Sequence, residues 1–374
     1  MTDSPDIKKI ALEQLRPGMY VHDLDCGWLH HPFLFNRFLV ADEAVVQKIA
    51  DAGIRALYID TSRGDDVDDA LTQAAVIRQL RQGIVSLADV RRNKAAQTIS
   101  LEEERRRAGR LFRDASQVVA GVLQSARMGQ FTELERLNPV VEKICDSIFR
   151  HSDALIPLAR VKQHDSYPFE HAVASAAMMA AFARSVGMPR QQIHELALGA
   201  MLQDIGMARV PQQILEKPYR LNPTEAAVVR GHVEHSHEIA QELADLPAAT
   251  MEVIAQHHER IDGTGYPFRL RGEQISAPGQ MAAIVDVYDA LTSQRPFQSA
   301  TAPTAALRKL FEWSQHHFNG ELVQAFIRSV GIFPVGSLVR MESGMLGVVV
   351  EQTDDLLKPV VRIIFNTRTG NYLL

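Results

Sequence analysis

The feature that most limits the possible folds is a region from about residue 150 to residue 334 in which every strong apolar segment has helical periodicity. The starts and ends of these helices can also be located. Asn222-Pro223-Thr224-Glu225 resembles a capped helix N-terminus, and Gly187, Gly206 and Gly263 follow helix ends. The sequence therefore predicts an all-α domain over this region.

Short strands are predicted on both sides of the helical region. Residues 6–60 alternate apolar runs with turns and contain one helix-like segment, from Ala44 to Ala52, which indicates a small α+β module. After Pro334 the apolar pattern takes a period of two, which is typical of a β-hairpin unit. The predicted fold class is thus mainly α, with a small N-terminal α+β domain and a short C-terminal β-hairpin tail.

These changes of pattern divide the chain into four segments. The predicted segments are an α+β module (1–62), a charged linker with helices (63–130), the helical domain (131–334) and a β-rich C-terminal extension (335–374). Within the second segment, Glu102 and Glu103 precede arginines at i+3 and i+4, which favours a solvated helix. A fragment starting near Phe131 is therefore expected to fold alone.

Composition excludes several classes of protein. The 374 residues are 46% hydrophobic and 23% charged, which is ordinary for a globular protein, and no apolar run approaches the length of a membrane span. With only Cys26 and Cys145, a disulfide framework is excluded and a cytoplasmic location is expected. The formal net charge of -5 argues against binding of a nucleic acid polymer, so an anionic ligand needs locally placed metals or arginines.

Adjacent histidines immediately precede a glycine-rich turn in the string from His257 to Pro267, HHERIDGTGYP. Paired histidines alone indicate little, because His30-His31 and His316-His317 also occur. Further possible ligands lie near helix ends or on apolar faces, and these are His171, Asp204, His232 and Asp286, with His235 as an alternative to His232. Imidazoles mixed with carboxylates are typical of iron, manganese or zinc sites, and burying so many ionisable groups is costly without cations.

The string from His257 to Pro267 closely resembles the signature of HD-GYP domains, a branch of the HD phosphohydrolase superfamily. The order of the candidate ligands matches as well, and the resemblance covers residues 160–330 almost continuously, including Val285–Ser293. The segment Leu15–Val21 is similar to the domain of unknown function that precedes many HD-GYP domains. The chain is therefore identified as a member of this family, with an all-helical, metal-dependent phosphohydrolase domain.

The resemblance implies a pair of divalent transition metals, with iron or manganese favoured and zinc as the alternative. One ion would be bound by His171, Asp204 and Asp286, and the other by His232, His257, His258 and Asp204, which bridges. Such a pair, about 3.5 to 4 Å apart, lowers the pKa of a bridging water, and the resulting hydroxide attacks phosphorus in line.

The implied substrate is the bacterial second messenger cyclic di-GMP. Residues at the positions of Asp165, Tyr266, Asp289 and Arg295 line its site in the family, and Arg295 would neutralise charge on the reacting phosphate. Asp204 and Arg295 are thus the catalytic candidates. The loop Gly265-Tyr266-Pro267 is a candidate contact for diguanylate cyclase-type signalling proteins, and a homodimer is also compatible with the resemblance.

Three positions depart from the family pattern. Gln203 replaces the histidine of the His-Asp pair, so one metal has only a weak amide candidate there. Met207 replaces a lysine that meets a substrate phosphate, and a thioether carries no charge. Tyr167 replaces the glutamate of three-metal members, so at most two metals are expected.

Two functions follow from these observations. The leading interpretation is a cyclic di-GMP phosphodiesterase, producing linear pGpG, GMP or both by means of a hydroxide activated by two metals. The alternative is a degenerate HD-GYP domain that acts as a cyclic di-GMP receptor or a protein-interaction scaffold without turnover.

Overall fold

The computed structural model describes residues 6–26, 33, 35–87, 100–158, 167–217, 221–243, 246–294 and 299–373. Among these residues helices dominate, and two antiparallel sheets lie toward the two ends of the chain. The chain divides into two compact units, Met1–Gly83 with Tyr219–Ala227 and Ile84–Pro218 with Val228–Leu374. This architecture confirms the mainly α fold class.

The first unit contains a five-stranded sheet and a short packed helix, together with helical residues 73–83 and 223–227 of two further helices. Its elements are β1 (Ile7–Ala11), β2 (Tyr20–Asp23), β3 (Phe38–Leu39), α1 (Glu43–Asp51), β4 (Ala56–Asp60) and β5 (Leu71–Thr72), and the strand order is β3-β2-β4-β1-β5. Asp42 caps α1, because its side chain accepts a hydrogen bond from the Val45 amide. Val21, Ile49 and Leu57 are fully buried in a core of their own. The helix lies within one residue of its predicted position, Ala44 to Ala52.

Most remaining elements are helices. They are α2 (Gln73–Ser86), α3 (Leu101–Arg127), α4 (Leu137–Leu155), α5 (Tyr167–Ser185), α6 (Arg190–Leu202), α7 (Gln212–Leu215), α8 (Pro223–Arg230), α9 (His232–Glu242), α10 (Ala248–Gln256), α11 (Ala277–Thr292), α12 (Pro303–Trp313) and α13 (Gly320–Val330). Helix α5 is apolar on all sides, and it packs against α3, α4, α6, α11 and α13. The centre of the second unit is therefore an α-helix that carries His171 in its first turns.

The long helix α3 is charged on one face, and its other face packs into the helical core. Exposed pairs join Arg106 to Glu102 and Arg107 to Glu103, as predicted for a solvated helix. The opposite face is buried with α4 and α5, through Ala108, Phe112, Ala115, Val119 and Val122. Glu104, also buried, accepts hydrogen bonds from Arg150 at 2.8 Å and from Ser147 at 2.7 Å. Burial alone would raise the pKa of Glu104, but these bonds hold it below its usual value.

The packing of α3 leads to a prediction about truncation. The domain boundary at residue 131 stays a prediction, but a fragment starting at Phe131 lacks α3 and exposes the core beneath it. Full burial of a side chain such as Phe112 or Val119 contributes about 1.5–3 kcal/mol. We therefore expect a fragment starting at Ser100 to unfold cooperatively on heating, and the Phe131 fragment to unfold at lower temperature or without cooperativity, as measured by circular dichroism. Equal stability of the two fragments would contradict this expectation.

The C-terminal tail forms a four-stranded antiparallel sheet. Its strands are β6 (Leu338–Arg340), β7 (Met345–Glu351), β8 (Val360–Asn366) and β9 (Asn371–Tyr372), paired in sequence order. Gln352, directly after β7, connects this sheet to the helical part of the unit. Its backbone N–H donates to the Asp153 carboxylate at 3.0 Å, and its side-chain Nε2 donates to the Phe333 carbonyl at 2.6 Å. The predicted β-rich extension is thus part of the second unit.

Candidate metal centre

Five helices bring their ends or their buried faces to one point. His171 lies near the start of α5, Asp204 just after α6, His232 at the first position of α9, and Asp286 in the middle of α11, while His257 and His258 follow directly on α10. Helix ends suit a cluster of inward-facing side chains. A residue beyond the last turn is not bound by the helical hydrogen-bond pattern, so its side chain can be directed inward. All of these helices belong to the second unit.

Four of these residues form a compact ligand cluster. The ligand atoms of Asp204, His232, His257 and His258 all lie within 4.8 Å of one another. Asp204 Oδ1 is 3.1 Å from His232 Nε2 and 3.8 Å from His257 Nε2. The Nε2 atoms of His232 and His257 are 3.4 Å apart.

The tautomers of His232 and His257 are set by backbone carbonyls. His232 Nδ1 donates to the Val229 carbonyl at 2.7 Å, and His257 Nδ1 donates to the Ile254 carbonyl at 2.9 Å. In the neutral rings each Nε2 therefore carries a lone pair, and both lone pairs are directed into the cluster. Two such lone pairs at close range repel each other unless a cation lies between them, so these residues fit a divalent metal.

Asp204 also faces a second group of ligands. Its Oδ2 atom is 3.1 Å from His171 Nε2, which is also 3.4 Å from Asp286 Oδ1. His258 Nδ1 lies 3.5 Å from Asp286 Oδ2. Asp204 thus presents one oxygen to each group, which is the arrangement of a bridging carboxylate.

The protonation states also suit metal ligands. Burial would raise the pKa of Asp204 and of Asp286, but the adjacent His171 imidazole holds both values below the usual range, and His232 adds to the effect at Asp204. Burial lowers the pKa of His257 and, together with the neighbouring imidazoles, that of His258. Ionised carboxylates beside neutral imidazoles are what a divalent cation requires.

Gln203 is buried next to this cluster. The residue is 1% exposed, and within the described part of the chain neither its amide nitrogen nor its amide oxygen makes a hydrogen bond. An unpaired buried amide is costly, which is consistent with a partner that the protein atoms do not supply. Close packing fixes the turn that follows, because a Cβ atom at Gly206 would lie 2.1 Å from the His232 carbonyl oxygen.

Two contacts at this site have no counterpart in the sequence analysis. The Gly206 amide donates to the Ser236 hydroxyl at 2.8 Å, which joins the turn after Asp204 to α9. Glu259, buried beneath the loop after His258, accepts from the amides of Phe268 at 2.7 Å and Leu270 at 3.0 Å. In the sequence, the only indication of the second contact is that the acidic Glu259 directly follows His257 and His258.

The loop Gly265-Tyr266-Pro267 lies against the cluster. The Tyr266 ring stacks on the His258 ring with centroids 4.7 Å apart and planes inclined by 26°. A Cβ atom at Gly265 would lie 2.4 Å from the Arg260 amide nitrogen, so only glycine allows this close approach of the loop to its own start.

The predicted site residues fall into three groups. The structure brings His171, Asp204, His232, His257, His258 and Asp286 together. Asp289, which the resemblance places at the substrate, contacts the His171 ring on its Nδ1 side, with Oδ2 at 2.6 Å from Nδ1, while Nε2 of the same ring faces Asp204 and Asp286. His235, the alternative to His232, is partly exposed and lies 3.6 Å from Glu238, outside the cluster. Asp165, Arg295 and the side chain of Tyr167 lie outside the described residues.

No helix among the described residues is both long enough and apolar enough to cross a bilayer.

Two family models match the chain. Residues 7–137 match a domain of unknown function, DUF3391, and residues 146–322 match the HD domain. The eponymous His-Asp pair of the second family is Gln203-Asp204 in this chain.

Comparison with curated proteins and solved structures places the chain in one family. A Pseudomonas aeruginosa protein named cyclic di-GMP phosphodiesterase is 39% identical over 367 residues, covering 97% of this chain and 86% of that protein. A Vibrio cholerae cyclic di-GMP phosphodiesterase is 36% identical over 168 residues, covering 42% of this chain and 34% of that protein. A solved HDG"Y"P protein from Bdellovibrio bacteriovorus has the same fold, with a TM-score of 0.51, 17% identity, and coverage of 86% of this chain and 98% of that one. The chain therefore belongs to the HD-GYP family, with a DUF3391 module before its HD domain.

Proposed function

We propose that the protein hydrolyses cyclic di-GMP to linear pGpG, to GMP or to both, in bacterial signalling. The observation that carries this proposal is the position of Asp204, whose Oδ1 faces His232 while its Oδ2 faces His171. A carboxylate in this position suits a two-metal site for in-line displacement at phosphorus. The relatives from Pseudomonas aeruginosa and Vibrio cholerae are named cyclic di-GMP phosphodiesterases, which supports this substrate and favours turnover over a receptor or scaffold role.

The cofactors that suit this site are two divalent transition metals, with iron or manganese first and zinc as the alternative. The first group of ligands is Asp204, His232, His257 and His258, and the second is His171, Asp204 and Asp286. Gln203 would give the second group a neutral amide oxygen, so we expect the ion there to bind more weakly. When bound, such ions lower the pKa of a water and stabilise negative charge on phosphoryl oxygens.

The chain's own residues hold and shield the reacting groups. The carbonyls of Val229 and Ile254 keep the Nε2 lone pairs of His232 and His257 directed inward. Tyr266 covers one face of His258 and excludes water there. From the resemblance, Arg295 would neutralise charge on the reacting phosphate and Asp165 would contact the substrate.

Hydrolysis assays on variants at the two unusual positions test this function. We expect slow hydrolysis of cyclic di-GMP by the wild-type protein with added manganese or ferrous iron. Gln203→His should raise kcat, because an imidazole is a stronger ligand than an amide. Met207→Lys should mainly lower KM, by about tenfold or more, since a charged hydrogen bond to phosphate is worth roughly 1.5–3 kcal/mol.

The assay has two controls. Cyclic GMP-AMP, in which adenine replaces one guanine, tests the choice of base with the same phosphodiester chemistry. An Asp204→Ala protein gives the background rate. If wild-type protein does not exceed that background while Gln203→His, Met207→Lys does, the scaffold alternative is correct and these two positions abolish turnover.

Partners other than the substrate are a separate proposal. The loop Gly265-Tyr266-Pro267 is our candidate contact for diguanylate cyclase-type proteins, and homodimer formation is a further expectation, to be tested by co-purification and light scattering respectively. We place the protein in the cytoplasm because Cys26 and Cys145 are its only cysteines, too few for a disulfide framework.

A further inference from the structure

The loop that follows the adjacent histidines, residues 259–271, is called the signature loop below and is attached to the connection between α12 and α13. The Ile261 amide donates to the His317 carbonyl at 3.1 Å, and His317 Nδ1 donates to Asp262 Oδ2 at 2.9 Å. The backbone and the side chain of one histidine in this connection thus hold two consecutive residues of the signature loop.

Asp262 extends this attachment to the turn of the signature loop. Its other carboxylate oxygen, Oδ1, accepts from the Thr264 amide at 3.0 Å and from the Thr264 hydroxyl at 2.7 Å. Burial would raise the pKa of Asp262, but the bonds from His317 and Thr264 hold it well below its usual range, so the carboxylate is ionised. One carboxylate therefore joins the α12–α13 connection to the turn that precedes Gly265 and Tyr266.

The signature loop returns from this turn to the metal ligands. The Tyr266 amide donates to the His258 carbonyl at 3.2 Å, and the Tyr266 ring stacks on the His258 ring. Tyr266 is partly exposed, so the loop forms part of the surface beside the metal cluster. A shift of the loop at Asp262 would therefore move an aromatic ring that borders the space in which a substrate of the metal centre binds.

Packing alone does not fix the attachment at His317. A cavity of about 10 Å³, close to the minimum that holds one water, lies behind the signature loop, and its lining includes Glu259, Ile261, His317 and Phe318. Side chains that border a void have fewer contacts to hold them in place. The two hydrogen bonds of His317, to Ile261 and to Asp262, are therefore the contacts that set the position of the loop on this side.

We propose that His317 is a positioning residue for cyclic di-GMP hydrolysis, which fixes the signature loop through Asp262 and so places Tyr266 beside the metal ligands. This inference rests on the proposed function. It gives a role to one of the paired histidines, His316-His317, that indicated little in the sequence. His317 acts through the loop, since it does not belong to the ligand cluster.

Steady-state kinetics of variants at His317 test this proposal. His317→Leu removes the donor, and we expect KM for cyclic di-GMP to rise by about tenfold, the lower end of the range for a hydrogen bond to a charged group, because the backbone bond to Ile261 remains. The value of kcat should stay within a few-fold of wild type. His317→Asn should keep KM close to wild type, since its amide nitrogen can take the place of Nδ1.

A third variant covers the case in which His317→Leu does not fold. His317→Gln keeps a polar side chain of similar length, but its amide lies one bond further from the backbone than Nδ1 does. We therefore expect His317→Gln to resemble His317→Leu in KM and to differ from His317→Asn. If the glutamine and asparagine variants both had the wild-type KM, the bond to Asp262 would not position the loop.

His194→Leu is the matched control. The His194 side chain is 25% exposed, against 21% for His317, and its Nε2 atom lies 4.0 Å from Glu142 Oε2. It lies on α6, nine residues before Gln203, which is about 13 Å along the helix. Loss of this imidazole should leave KM unchanged, and the metal content of all these variants should match wild type.

A double-mutant cycle with Tyr266→Ala identifies the route by which His317 acts. His317→Leu should have little further effect on KM in the Tyr266→Ala protein, because the ring that the signature loop places is absent. Additive effects of the two changes would overturn the proposal, and so would a wild-type KM for His317→Leu. Loss of metal from His317→Leu would also overturn it, since His317 would then support His258 and not the loop.

Direct binding separates this inference from the proposed function. The Kd for a phosphorothioate analogue of cyclic di-GMP should rise in His317→Leu as KM does, and it should be restored in His317→Asn. If wild-type protein binds the analogue but shows no hydrolysis, the proposed function fails, and the same cycle measured by Kd decides the role of His317. Absence of binding by the wild-type protein would overturn this inference as well.

Discussion

Replacing Asp204 by alanine is expected to release the metals and to lower cyclic di-GMP hydrolysis by about three orders of magnitude or more. Asp204 contributes an oxygen to both ligand groups, at 3.1 Å from His232 and at 3.1 Å from His171. Its loss therefore affects both ions, whereas the loss of His257 removes a donor from only one. Metal stabilisation of a phosphoryl transition state is worth several kcal/mol, and each 1.36 kcal/mol corresponds to a factor of ten in rate.

Elemental analysis and turnover should change together in this variant. His257→Ala should lose the tightly bound ion, while a surface change such as Asp114→Ala should keep both metal and activity, because Asp114 is exposed on α3. If Asp204→Ala kept its full metal content, the ligand set would be wrong. Metal loss without loss of hydrolysis would instead contradict the two-metal mechanism.

The fold was largely predictable because its local signals agree with one another. Helix α1 has an Asp42 cap and an amphipathic pattern, and the tail has short apolar runs that are separated by turns. The candidate ligands at helix ends could be identified for a related reason, since an ionisable residue beside a glycine or at the end of an apolar run has few structural roles. The motif from His257 to Pro267 then selected the family.

The contacts that could not be predicted are tertiary. The charged sequence of α3 predicts a solvated helix and does not identify the helices that pack against it. The partner of the buried Glu104 is Arg150, which lies 46 residues away in the sequence. Asp286 and Asp289 share one helix face at i, i+3, and periodicity cannot decide which faces a metal. The choice depends on His171, 118 residues from Asp289 in sequence, whose ring lies between them.

Asp289→Asn is expected to weaken metal binding by about 10- to 100-fold while the fold is kept. Asp289 is 1% exposed, and its Oδ2 atom lies 2.6 Å from His171 Nδ1. A carboxylate that accepts this hydrogen bond fixes the tautomer that leaves Nε2 free for a metal, and it makes the imidazole a better donor. Asparagine has the same shape but lacks the charge, and its amide can also present the wrong hydrogen-bonding group to the ring.

The chain offers a matched control for this change. Asp262 forms the same kind of bond to His317, at 2.9 Å between Oδ2 and Nδ1, but neither residue belongs to the metal cluster. Metal titration with manganese should therefore show weaker binding for Asp289→Asn and wild-type affinity for Asp262→Asn, with the thermal unfolding of both variants measured alongside. Equal losses of metal affinity in both variants would mean that any broken carboxylate–imidazole bond loosens the domain, and Asp289 would then have no specific part in orienting His171.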